Sequence, residues 1–329
     1  MAKFIARRLG LCAVIFFFVT FIIYVLECSL PTSFVEKQAM ELATRPGNTK
    51  SAQQWIDELN AQYGMDQGMI KGYGTWLKSS VKGDFGDSWT QTMPVTDLFK
   101  KCIWYSFGMG LVAFVLEIVI AIPLGVLAAR KQYSMADYTV TVLGLIGISM
   151  PTFFVATVFK LIFSVKLGWF DLVGMQGRNY ATLSEAGKFL DLCQHLVLPI
   201  MTLTVVGVGG LMRFTRTNML EVLNADYIRT ARAKGLPEKK VISHHAFRNT
   251  LIPLVTILGG TLPGLFSGAL ITETLFGIRG IGFYSYYAMI GGDIPFTMFY
   301  LAFISILTLL GNLISDILYA VVDPRVRVN

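Results

Sequence analysis

At 329 residues, 54% hydrophobic and 15% charged, the chain is too apolar for an ordinary soluble domain, in which about a quarter of the residues are charged. Its mean hydropathy of +0.58 points to a bilayer instead. The net charge of +7 does not indicate a nucleic-acid partner, because most of the chain is committed to lipid and no basic patch interleaves with exposed aromatic residues.

A bilayer core of about 30 Å needs roughly 20 mostly apolar residues per helical span. Six stretches qualify: Leu9–Leu26, Ile103–Ala129, Tyr138–Val165, His195–Met212, Leu251–Thr272 and Phe296–Ala320. The first follows Lys3, Arg7 and Arg8 as in a secretory signal, but its apolar run is longer than usual and no small-residue cleavage site follows, so it reads as a retained span. Between the first two spans lie about 70 residues, Pro31–Lys100, with two helix-like pieces, "AQQWIDELNAQYG" and "QGMIKGYGTWLKSSV", and then the turn "GDFGDS". A small extracytoplasmic cap is expected there.

Lys and Arg crowd the N-terminus, the turn "ARKQYSMAD", the loop at Ala225 and the tail "DPRVRVN", whereas the other loops are nearly balanced. Positive-inside counting therefore gives six helices with both ends cytoplasmic. Charged residues at depth are few: Glu117, Lys160 and Asp316. Glu117 is the main buried acid and either lines a translocation cavity or pairs with a neighbouring helix, while Lys160 is expected to snorkel. Gly260, Gly264 and Gly268 recur every four residues, a small face that lets another helix approach. With Pro151 and Glu117, they are the candidate pathway residues.

No G-x-x-x-x-G-K-[ST] loop, H-E-x-x-H or G-x-S-x-G is present, and the cysteines Cys12, Cys28, Cys102 and Cys193 have no metal-like spacing. No catalytic or metal-ligating residue is therefore assigned, and a pore or carrier remains.

The basic stretch "ADYIRTARAKGLPEKKVISHHAFRNTLIPLV", Ala225–Val255, separates two apolar spans. At 100° per residue, Tyr227, Ile228, Ala231 and Gly235 share one side of a short helix, Gly235 stops it, and Pro237 opens the next. Attraction to anionic lipid accounts for the charge but not for the small face, which suits insertion into a cleft on a partner protein.

"DYIRTARAKGL…HHAFRNTLIPLV" resembles the cytoplasmic coupling loop of ABC importer permeases, in their peptide-importer branch. "FIARRLGL", "GDFGDSW", "IPLGVLAA", "ISMPTFF", "GALITETLFGIRGIG" and "LGNLISDILYAVVDPRVR" extend the resemblance over nearly the whole chain. Arg229, Thr230 and Ala231 stand where the general pattern has E-A-A, so the salt bridge assigned to that acid in other importers has no matching residue here, and Asp226 is the candidate substitute.

The resemblance implies an all-α membrane protein with the type I ABC importer permease fold. Its expected parts are a first helix over 1–30, a cap over 31–100, a five-helix core over 101–322 holding the coupling loop 213–250, and a tail over 323–329. It also implies that Asp226, Tyr227, Ile228, Thr230, Ala231, Arg232, Ala233 and Gly235 couple to ATPase subunits. The implied partners are a second homologous permease, two ABC ATPases that bind ATP and Mg, and an extracytoplasmic solute-binding protein, all acting on a peptide at the cytoplasmic membrane. Related branches move nickel complexes, glutathione or oligosaccharides. The alternative, an ion-coupled single-chain carrier, would favour an inverted repeat and several buried acids.

Overall fold

Apolar length dictates the long elements, and capping residues and prolines divide the rest. The computed structural model describes residues 2–29, 34–45, 49–63 and 68–322. The basic tail "DPRVRVN" lies outside the described residues. In chain order the helices begin with α1 (Ala2–Ser29), α2 (Phe34–Thr44), α3 (Ala52–Tyr63) and α4 (Met69–Val81). A two-residue hairpin, β1 (Asp87–Ser88) and β2 (Met93–Pro94), leads into α5 (Val95–Arg130). Then come α6 (Met135–Ser149), α7 (Thr152–Phe159) with a π-helical continuation over Lys160–Lys166, and α8 (Glu185–Leu223). The short α9 (Asp226–Ala233) and α10 (Glu238–Lys240) are followed by a π-helical turn over Val241–Ala246, α11 (Phe247–Thr261) and a 3-10 turn over Leu262–Phe266. The last elements are α12 (Leu270–Phe276), α13 (Ile281–Gly291) and α14 (Ile294–Val322).

Among the described residues, four helical runs, those holding α1, α5, α8 and α14, are long and apolar enough to cross a membrane, and two bent pairs raise the number to as many as six if each pair is one span. The expected third span is not straight. Pro151 pushes Met150 into extended geometry (φ −84°, ψ 124°), and α6 and α7 diverge by 102°. Ser134 caps α6 and Ser184 caps α8, each accepting from the backbone N–H three residues on.

The chain forms two compact units. The first comprises residues 1–104 and 284–309. Here α4 packs on α1: the Tyr73 hydroxyl lies 2.9 Å from the Thr20 hydroxyl, and the Tyr73 ring meets Phe17 and Phe21 edge-on. The hairpin is pinned by Asp293, a fully buried carboxylate that accepts from the Ser88 hydroxyl and from the backbone and hydroxyl of Thr90. The "GDFGDS" turn and the start of α14 are thereby one structure. The sequence pattern for this region omitted α2, which packs Val35 and Ala39 against Leu59 of α3.

The second unit comprises residues 105–283 and 310–329. Its centre is α8, against which α6, α7 and α11 pack. At the α6–α8 crossing, Gly144 and Gly209 meet backbone to backbone; a β carbon on Gly209 would overlap the Gly144 carbonyl oxygen. Small residues allow this approach, and close packing is one of the forces that hold helices together in lipid.

Candidate functional site

The basic loop begins where α8 ends, at Leu223, and every element in it has a local cause. Ala225 is extended and its carbonyl accepts from Ile228, which starts α9. Gly235 ends it with φ +75°, a left-handed geometry that costs a side-chain-bearing residue about 1–2 kcal/mol. Arg232 then reaches forward to Glu238 in two hydrogen bonds of 3.1 and 2.8 Å, and the carboxylate pushes the Arg232 pKa above its ordinary value.

Of the four residues expected on the docking side, Ile228 and Ala231 are turned inward, while Tyr227 and Gly235 are exposed. Ile228 is fully buried and Ala231 is 7% exposed, both packed against Met219 of α8, Val241, Ile242 and Ala246 of the following turn, and Ala129 of α5. These two side chains seat α9 on its own chain and are covered. Exposed instead are Asp226, Tyr227, Arg229, Thr230, Arg232, Ala233 and Gly235. Asp226 approaches Arg229 at 3.6 Å, an exposed pair of little energetic weight.

Nearer the α9 end of α8 is an ion pair that sequence reasoning missed. Asp137, at the start of α6, takes both the Nε (2.7 Å) and Nη2 (2.9 Å) of Arg216 on α8, as well as the backbone N–H of Tyr133. The Asp137 side chain is 3% exposed. Nothing in the spacing of residues 79 positions apart announces such a pair.

Deeper in the second unit is a cavity of about 460 Å³, bounded by α5, α8, α11 and the 3-10 turn. Glu117, Gly210, Phe214, Gly264 and Gly268 are among its lining residues. The Glu117 carboxylate lies over Gly207, where a β carbon would come within 2.6 Å of Oε2, and it has no hydrogen-bonding partner among the described residues. Two pathway candidates lie elsewhere. Pro151 is exposed at the α6–α7 bend, and Gly260 packs on α14, where a β carbon on Gly311 would lie 2.7 Å from the Gly260 carbonyl oxygen. Nor do the three spaced glycines share one helix face: Pro263 opens the 3-10 turn, and Gly268 breaks the helix at φ +80°.

Glu117 is also not the main buried acid. Glu273 of α12 is fully buried and accepts from the Ser106 hydroxyl (2.7 Å) and from the backbone N–H groups of Ala269 (2.9 Å) and Phe283 (2.8 Å). A β carbon on Gly280 would sit 2.6 Å from its Oε2, which explains the glycines around the acid in "GALITETLFGIRGIG". Lys160 does not snorkel; its ammonium donates to the Leu275 carbonyl at the C-terminal end of α12 (2.7 Å), where the helix dipole favours a cation.

With this geometry in place, three kinds of similarity bear on the chain. The family profile described as the inner membrane component of binding-protein-dependent transport systems matches residues 121–328. The oligopeptide transport system permease protein AppB of Bacillus subtilis is 36% identical over 99% of this chain and 100% of its own length. The Haemophilus influenzae oligopeptide permease protein OppB is 31% identical with the same coverage, and the Escherichia coli dipeptide permease protein DppB is 34% identical over 99% of both chains. Among solved structures, a chain of the MetNI methionine ABC transporter in an inward-facing conformation has a TM-score of 0.54 at 20% identity, covering 69% of this chain and 97% of that one. At that identity the likeness is one of fold.

Proposed function

The chain belongs to the family of inner membrane components of binding-protein-dependent transport systems, and we propose on that basis that it is a permease subunit of an ATP-driven importer of di- or oligopeptides. Relatives named for peptide transport along their full length support this reading over an ion-coupled carrier acting alone. In the proposed assembly it pairs with a second permease, two ATPase subunits on the cytoplasmic side and an extracytoplasmic solute-binding protein, with both of its own termini cytoplasmic. Hydrolysis of Mg-bound ATP belongs to the partners, since this chain has no phosphate-cradling loop of its own.

The observation that supports this best is α9 itself, a helix anchored by Ile228 and Ala231 whose opposite face is exposed among the described residues. The coupling contact falls on Asp226, Tyr227, Arg229, Thr230 and Ala233. Peptide passes the cavity containing Glu117, Gly264 and Gly268, whose glycines leave room without side chains.

The test is bulk on the exposed face. Thr230→Trp and Ala233→Trp are expected to abolish uptake of labelled peptide and to weaken ATPase co-purification, with the permease inserted normally. Lys239→Ala, outside that face, is expected to be nearly silent, as exposed charges contribute only about 0–1 kcal/mol. Wild-type uptake in both Trp variants refutes docking through α9.

A further inference from the structure

The walls of the cavity at Glu117 are unbalanced in charge. Glu117 stands near the middle of the apolar stretch Ile103–Ala129, where an ionisable side chain is costly unless it meets water or an opposite charge. Among the described residues it is the one charged group lining the cavity. Its side chain is partly exposed, and the opposing helix gives up a side chain to make room for it: a β carbon on Gly207 would lie 2.6 Å from Oε2 and 2.7 Å from Cδ. The other polar side chains of the wall are committed. The Ser106 hydroxyl donates to Glu273 (2.7 Å) and accepts from the Ile281 N–H (2.8 Å), and the Thr261 hydroxyl donates to the Leu258 carbonyl (2.8 Å). The remaining lining is glycine or apolar, with Phe114, Leu203, Phe214 and Ile257 prominent. The side chains of this wall therefore offer an acceptor to a cation and no donor to an anion.

We propose that Glu117 receives the free amino terminus of the peptide in transit and so selects for an unblocked α-ammonium group. This rests on the reading that peptide passes this cavity. The two termini are the only charged groups that a linear peptide carries whatever its sequence. The α-ammonium, with an ordinary pKa of about 7.7–8.0, is mostly charged at pH 7 and complements the carboxylate. The peptide's carboxylate end meets like charge and no side-chain donor, so it is held away from Glu117. Side chains of differing size then fall against apolar walls and into the room left by Gly210 and Gly264, which favour no particular sequence. The volume of about 460 Å³ lies within the roughly 300–1,000 Å³ of sites that enclose small molecules. An inorganic cation would satisfy the carboxylate but leave the apolar walls without a role.

The test reads occupancy of the cavity directly. The full-length chain, purified with its associated subunits but without solute-binding protein, carries Gly210→Cys as a reporter. Gly210 lines the cavity, and a β carbon there meets no atom within 4 Å. Modification of position 210 by the neutral reagent methyl methanethiosulfonate is followed by peptide mass mapping while trialanine or N-acetyl-trialanine is added. Trialanine is expected to protect the position at about tenfold lower concentration than the acetylated peptide. Adding Glu117→Gln should raise the trialanine requirement about tenfold and leave that of the acetylated peptide unchanged. Glu117→Asp, which keeps the charge, should retain most of the preference, and co-purification of the subunits checks that each variant assembles. Equal protection by the two peptides with Glu117 in place overturns the inference while leaving the cavity as the peptide path. So does a preference that persists in Glu117→Gln, which an acid on another chain would give. Protection by neither peptide refutes passage through this cavity, and the inference falls with it.

Discussion

Replacing Ile228 by alanine tests how α9 is held. The side chain is fully buried among Met219, Val241, Ile242, Ala246 and Ala129, so truncation removes three carbons from a closed site. Such substitutions cost about 2–5 kcal/mol. The helix has only eight residues, well short of the roughly 12–15 at which an isolated helix becomes even marginally stable. Its remaining supports are Ala231, which contributes a single methyl, and the exposed Arg232–Glu238 pair, at about 0–1 kcal/mol. A loss near 3 kcal/mol corresponds to about two orders of magnitude in the equilibrium between seated and unseated helix. Amide hydrogen exchange over residues 228–236 of the assembled protein should accelerate by that factor, with peptide uptake falling alongside and other helices unaffected. Ile228→Val, at about 0.5–1.5 kcal/mol, should remain close to native. Wild-type exchange in Ile228→Ala, or equal loosening by Arg232→Ala, would show that the buried face does not seat the helix.

Two further outcomes follow from other parts of the second unit. Asp137→Ala leaves Arg216 without its carboxylate in a largely covered site and should destabilise by about 3–5 kcal/mol, read as lost resistance to denaturation in detergent; Asp137→Leu with Arg216→Met should recover much of it. Glu117→Gln replaces a carboxylate at the cavity that has no hydrogen-bonding partner among the described residues, so uptake should change while expression and assembly stay normal; failure to assemble would mean that the carboxylate has a structural role.

The spans were legible because apolar length is additive along the sequence, and so was the grouping of Ile228 with Ala231 on one side of α9. Periodicity could not say what covers that side. The covering residues Val241, Ile242 and Ala246 come after the Gly235 break, and Met219 comes before the loop, so only the folded chain places them together. The same limit applies to the spaced glycines. A repeat of four implies a shared face only while the helix continues, and Pro263 and Gly268 end that continuity. Buried acids were the least legible feature. Glu273, Asp137 and Asp293 stand near the ends of apolar segments, where no sequence pattern singled them out, yet each is enclosed by donors contributed by distant segments or adjoining turns. The glycines bracketing Glu273 were the one available signal.

The contact between Gly144 and Gly209 has a mechanical corollary. With no side chains between the two backbones, that point of α8 has no compressible layer through which to slide, so it acts as a pivot. The arm from Gly209 to Leu223 is about 21 Å long and the arm from Gly209 back to Glu185 about 36 Å, at ~1.5 Å per residue. In the rigid-rod limit, a displacement imposed on α9, which begins just past the short arm, appears at the far end of α8 enlarged by about 1.7 and reversed in direction. Gly207 and Gly210, beside the fulcrum, rotate but hardly translate. A pull at the loop would therefore twist the wall under Glu117 while swinging the opposite end of the helix through the longer arc.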